Sequence, residues 1–163
     1  MIILLEDAGE ELKRADHLVY VSLKYTRTVD VLMNSLSRMI DAYDYLIGAL
    51  LLYAKEEKSL QVIPNSPLEK GNVIKKLYPQ QEIQDNIDLF FLLRKVYRAP
   101  HDKEQEYRRH VALITTIDGR EEIINIDIIT QYLEFQKQFY GFVVNMLKDY
   151  AKRKHVDENG WEY

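Results

Sequence analysis

TVDVLMNSLSRMIDAYDYLIGALLLYAKEEK, residues 28–58, is the stretch that decides the fold. Leu32, Leu36, Met39, Ile40, Tyr43, Ile47, Leu50, Leu51 and Ala54 recur at spacings of three and four, which gathers them on one face of a helix. The run holds no proline, so the spacing predicts one long amphipathic helix that other helices must cover. Upstream, residues 8–26 have helical periodicity and no breaker after Gly9, with Asp7 as a candidate cap. The boundary between the two helices is expected near Thr26 to Thr28, although a single kinked helix is the alternative. Downstream, SLQVIPNSP (59–67) has loop chemistry. Ser66, Pro67 and Glu69 then form a helix-start signal for a short helix to about Tyr78. Pro79 ends that helix, and a second long one is predicted over 81–98, closed by Pro100.

The period changes at residues 111–126. Val111 to Ile117 is largely β-branched and apolar, Asp118-Gly119 is a preferred two-residue turn, and Arg120 to Ile126 returns, so a β-hairpin is expected. Asp127 is the candidate cap of a last helix whose apolar side is Ile129, Tyr132, Leu133, Phe139, Tyr140, Val143, Val144 and Leu147. The fold class that results is mainly α: an antiparallel four- or five-helix bundle with one hairpin before the C-terminal helix. Residues 1–151 form a single domain, and 152–163 a polar tail with a lone tryptophan, Trp161. A two-stranded ribbon is marginal alone, so the hairpin must lie on the helices or pair with another chain. The second long helix carries Leu89, Leu92, Leu93 and Val96 opposite Ile87 and Phe91. Apolar residues on more than one side call for additional cover; a two-fold homodimer is expected to supply it, and the hairpin could provide it too.

Composition removes several function classes. The chain has 163 residues, 47% hydrophobic and 29% charged, as in an ordinary globular domain. A formal charge of −4 excludes a globally basic nucleic-acid binder but leaves room for a local basic patch. With no cysteine, disulfides, thiolate metal sites and cysteine nucleophiles are excluded. No apolar run approaches the roughly eighteen residues of a membrane span, and MIILL is too short for a signal peptide, so a cytoplasmic protein away from membranes is expected. The four histidines, His17, His101, His110 and His155, form no metal-ligand spacing. Nucleophile-elbow, phosphate-loop and dinucleotide motifs are missing as well, so neither a metal nor a cofactor is expected.

What remains is RKVYRAPHDKEQEYRRH, residues 94–110. It holds six cationic side chains (Arg94, Lys95, Arg98, Lys103, Arg108, Arg109) against three acids, with Tyr97 and Tyr107 interleaved, inside an acidic chain. Basic groups with aromatics suit a phosphate backbone with stacked bases. At about 100° per residue, Arg94 and Arg98 continue the apolar stripe of Ile83, Ile87, Phe90 and Phe91. Guanidinium groups on such a stripe either pair with carboxylates, Asp44 or Asp88 being candidates, or face a ligand. The nucleic-acid-binding candidates are Arg98, Lys103, Arg108, Arg109 and His110, the last three forming an alternative or accessory site. Tyr20, Tyr25, Tyr43, Tyr45 and Tyr53 are expected to pack helices rather than stack bases.

The arrangement over roughly residues 10–110 resembles the HEPN family of small helical bundles: a first helix, a second carrying AYDYLIGALLLYA, a short helix after a proline loop, and a helix ending in Arg and His. In the ribonuclease members of that family an arginine and a histidine with four to six residues between them form the active site. Arg94 and His101 have six residues between them, and the resemblance implies that they are the catalytic pair of a metal-independent endoribonuclease. A histidine can exchange a proton with the ribose 2′-hydroxyl or the leaving oxygen, and a fixed guanidinium can stabilise charge on the phosphate. The family further implies a dimer that brings two such pairs together. Three readings therefore stand: an RNA-directed nuclease, a module that binds RNA or a protein partner without catalysis, and a homo-oligomeric scaffold whose arginines are structural.

Overall fold

The computed structural model describes residues 1–159. Helix α1 (Ile2–His17) runs through a π turn at Leu18–Ser22 into a short α2 (Leu23–Tyr25). This helix begins upstream of Asp7, whose side chain therefore caps nothing; Met1 occupies the cap position. The chain then breaks. Thr26 is extended, and the Thr28 hydroxyl accepts from the Val31 N–H to start α3 (Val29–Glu56), so the two helices are separate rather than one kinked element. All nine apolar positions that mark α3 in the sequence are buried. Ser66 caps α4 (Pro67–Leu77) by accepting from Glu69 N–H at 3.1 Å, with Pro67 in the first turn. Helix α5 spans Gln81–Arg98.

Helix α1 runs antiparallel to α3, with Leu4 near Gly48 and Glu11 near Arg38, whereas α3 runs parallel to the last helix, α6 (Ile126–Asn159), Met39 meeting Gln136 and Tyr53 meeting Tyr150. Gly9 of α1 lies against Tyr140 of α6. On α3, Tyr43 donates to Asn86 Oδ1 of α5 at 2.6 Å, both residues fully buried, and its ring meets Phe90 edge-on and Phe139 of α6 at a tilt. Asn86 in turn donates to Glu82 O at 2.8 Å. The polar pair costs little because each member is satisfied. Helix α4 presses on α5 at Gly71, where an added Cβ would stand 2.5 Å from the Phe91 ring.

The hairpin is present and larger than expected. β2 (Ala112–Ile117) and β3 (Arg120–Asn125) turn at Asp118 and Gly119, both with positive φ as such a two-residue turn requires. A third strand, β1 (His101–Glu104), pairs antiparallel with β2, His101 opposite Thr115 and Glu104 opposite Ala112. HDKE has no strand composition; it is extended because β2 offers an edge and because Thr115 Oγ1 donates to Pro100 O at 2.8 Å. The sheet packs on α5, α3 and α6.

This packing explains two departures. Along α5 the buried side turns from Ile83, Ile87 and Phe90 toward Leu89, Leu93 and Val96, because β2 covers the later turns. Arg94 is consequently half-buried and Arg98 exposed, not central to a buried stripe. The same packing supplies, within one chain, the cover for α5 that was the motive for a homodimer. The cap of α6 is Asn125, whose Oδ1 accepts from Ile128 N–H at 2.9 Å, rather than Asp127. The helix continues to Asn159, beyond the boundary expected at 152; Trp161 and the His155 side chain lie outside the described residues.

Candidate functional site

The two halves of the 94–110 segment face different parts of the molecule. Arg94, Tyr97 and Arg98 line a cavity of about 210 Å³ with Ser37, Ile40, Asp41 and Asp44 of α3. The Arg94 guanidinium lies 5.6 Å from the Phe90 ring centre and makes no ion pair within 4.0 Å among the described residues. Desolvation raises the Asp44 carboxyl above its usual range, opposed by the Arg94 charge; desolvation and then the Glu11 carboxylate raise Asp41. His101 is half-buried at the start of β1 and does not line this cavity. Asp88, the other candidate partner for these arginines, is bound instead by Lys75.

Two of the six cations are held by carboxylates. Lys95 reaches Asp118 at 2.8 Å, fastening the hairpin turn to α5. Lys103 lies 3.7 Å from Asp30 and 3.9 Å from Glu106. Such surface pairs contribute little to stability. Arg108 is exposed in the loop.

Arg109 and His110 enter a larger groove, of about 390 Å³, together with Val19, Tyr20, Leu23, Lys24 and Arg27 from the first helical segment and the link after it, and Asn125, Ile126, Asp127 and Thr130 from the start of α6. Tyr20, Leu23 and Lys24 come from the π turn and α2, and Arg27 from the extended link that follows, so together they form one wall. A π turn is costly and tends to persist at functional sites. The opposite wall is the loop after β1. Its placement is specific: Tyr107 N–H donates to Arg27 O at 2.6 Å, and the Glu106 carboxylate accepts from Val29 N–H at 3.2 Å, at the N-terminus of α3. Gln105 and Tyr107 adopt positive φ to make these contacts, a strain that must be held by the surroundings.

Lys24, Arg27, Arg109 and His110 therefore converge, and among the described residues none of them has a carboxylate within 4.0 Å. Asp127 is the one acid in the lining. Tyr20 is held in the wall by donating to Glu134, and Lys137 lies 5.1 Å from its ring centre while pairing with Asp16 and Glu134. Beside the groove, Tyr25 is 80% exposed and Tyr107 77% exposed. Tyr43 packs in the core as expected, but Tyr20 and Tyr25 do not.

Lys24 and Arg27 were not singled out from the sequence, because about eighty positions separate them from Arg109. The spacing of Lys24 from Tyr20 is the one local signal. Among the described residues no group of three or more His, Asp or Glu side chains could hold a metal, and no helix is long and apolar enough to cross a membrane. The chain matches no family model, no curated protein and no solved structure.

Proposed function

We propose that this protein binds single-stranded RNA, with the phosphate backbone in the groove of Lys24, Arg27, Arg109 and His110 and bases stacked on Tyr25 and Tyr107. The observation that carries the reading is the convergence, from segments far apart in sequence, of these four basic side chains without ion-pair partners within 4.0 Å among the described residues. Neighbouring cations repel one another, so placing four basic groups around a lining that holds a single acid, Asp127, is unfavourable unless an anion compensates. Exposed tyrosines beside such a groove match how single strands are held without sequence readout, by charge along the backbone and ring faces under the bases. An acidic chain with one basic groove suits local rather than wholesale nucleic-acid binding.

The reading is one of binding first. Arg94 lines the cavity between α3 and α5 and His101 does not line it, so the groove rather than the Arg94 and His101 pair carries this reading. If the bound RNA is also cut, the groove offers His110 for proton transfer and Arg109 and Arg27 for the phosphate charge.

The test is a fluorescence-anisotropy titration of a labelled single-stranded oligoribonucleotide at low salt. Wild type binds, and Arg27→Ala and Arg109→Ala each weaken binding by roughly tenfold through one lost phosphate contact. Equal affinity in all three proteins rejects the groove. Incubation of the same RNA in excess chelator with wild type, His101→Ala and His110→Ala separates binding from cleavage and tells which histidine acts.

A further inference from the structure

The cavity between α3 and α5 has a charge arrangement unlike that of the groove. Ser37, Ile40, Asp41 and Asp44 recur at helical spacing and face it from α3; Arg94, Tyr97 and Arg98 do the same from α5. Acids stand on one side and guanidinium groups on the other, two against two. Groups so arranged would ordinarily close into bidentate pairs. Here no nitrogen of Arg94 or Arg98 lies within 4.0 Å of a carboxylate oxygen among the described residues.

Arg94 rests against the Phe90 ring of its own helix at 5.6 Å, which holds the guanidinium on the α5 side. Arg38, the cation acting on Asp41, is bound to Glu11 at 3.3 Å, and Glu11 is also held by Arg14. Across the remaining space, about 210 Å³, lie a half-buried serine, a buried isoleucine and a half-exposed tyrosine ring. That space is several times the roughly 30 Å³ share of one water molecule.

We propose that this cleft binds a small zwitterion of the α-amino-acid class, its ammonium group on Asp41 and Asp44 and its carboxylate on Arg94 and Arg98. The cleft is neutral in sum but dipolar. A simple anion gains the guanidinium groups and meets the carboxylates, and a simple cation meets the reverse, so only a ligand with both charges is favoured at each end. Partial burial raises the carboxyls of Asp41 and Asp44 against the opposing charges of Arg38 on the first and Arg94 and Lys70 on the second, and neither acid has an ion-pair partner within 4.0 Å among the described residues. Ile40 as the buried wall and Tyr97 at the rim suit a short side chain such as that of alanine or serine. None of these residues lines the basic groove, so the inference stands apart from RNA binding.

The experiment is an amide NMR titration of the full chain with glycine, L-alanine and L-serine, and with acetate and methylammonium as single-charge controls. At up to about 20 mM, well above a Kd of about 1 mM, at least one amino acid is expected to give saturable shifts centred on Asp41, Asp44, Arg94 and Arg98, with both controls at least tenfold weaker. Asp44→Asn and Arg98→Gln, both at exposed positions, should each weaken binding about tenfold by removing a charged hydrogen bond, with the spectrum elsewhere unchanged. No saturable shift for any of the three amino acids, acetate binding as well as they do, or full binding by both variants would overturn the proposal.

Discussion

The salt dependence of RNA binding follows quantitatively from the groove. Lys24, Arg27 and Arg109 are its three permanent cations. Each phosphate neutralised on a single strand releases about 0.7 counterion, so the slope of log K against log salt should be about −2 for wild type, and a rise from roughly 50 to 200 mM salt should weaken binding about twentyfold. Arg27→Ala removes one contact, which reduces the slope to about −1.4 and the loss over the same range to about sevenfold. Asp127→Asn removes the acid from the lining and should raise affinity at every salt concentration without steepening the slope. Anisotropy titrations at four salt concentrations read both quantities. A wild-type slope near zero, or an Arg27→Ala slope identical to wild type, would refute the assignment of phosphates to this groove.

The bundle makes its own predictions. Tyr43→Phe leaves the buried Asn86 Oδ1 without its donor and should cost about 1–3 kcal/mol in urea unfolding; a cost near zero would mean that water or a shifted Asn86 replaces the hydroxyl. Asn125→Ala removes the cap on Ile128 N–H and should cost about 1 kcal/mol, with faster amide exchange confined to the first turn of α6. Asp41 and Asp44 both have carboxyls raised above the ordinary value of 3.8. The folded chain then holds protons the unfolded chain has lost, so their contribution is present below 3.8 and disappears as pH climbs through the raised values. Asp41→Asn with Asp44→Asn should flatten wild-type stability over that window, as chemical unfolding at several pH values would reveal; an unchanged slope would place the pH dependence elsewhere.

Local chemistry made much of the fold legible. The three- and four-residue spacing of Leu32 through Ala54, the Ser66-Pro67-Glu69 start and the Asp118-Gly119 turn are decided by neighbours in sequence, and each is found where the sequence places it. What the sequence left hidden depends on distant partners. β1 exists because β2 is beside it, and its own residues, HDKE, carry no strand preference. Asn125 displaced Asp127 as the cap because β3 ends one residue before α6 begins. The candidate site divides the same way. Arg109 and His110 were visible as basic residues next to a strand, but their companions Lys24 and Arg27 are brought to them by the Tyr107 to Arg27 backbone bond, across the whole bundle sequence. The stripe argument put Arg94 in the core because it could not anticipate that the sheet would take over as cover for the end of α5.

The most direct test of the central claim is to photo-crosslink single-stranded RNA containing 4-thiouridine to the protein and map the adducts by mass spectrometry. The groove reading predicts adducts on Tyr20, Tyr25 and Tyr107 and in the peptides spanning residues 24–27 and 107–110. Adducts confined to Arg94 through His101, with none around the groove, would contradict it.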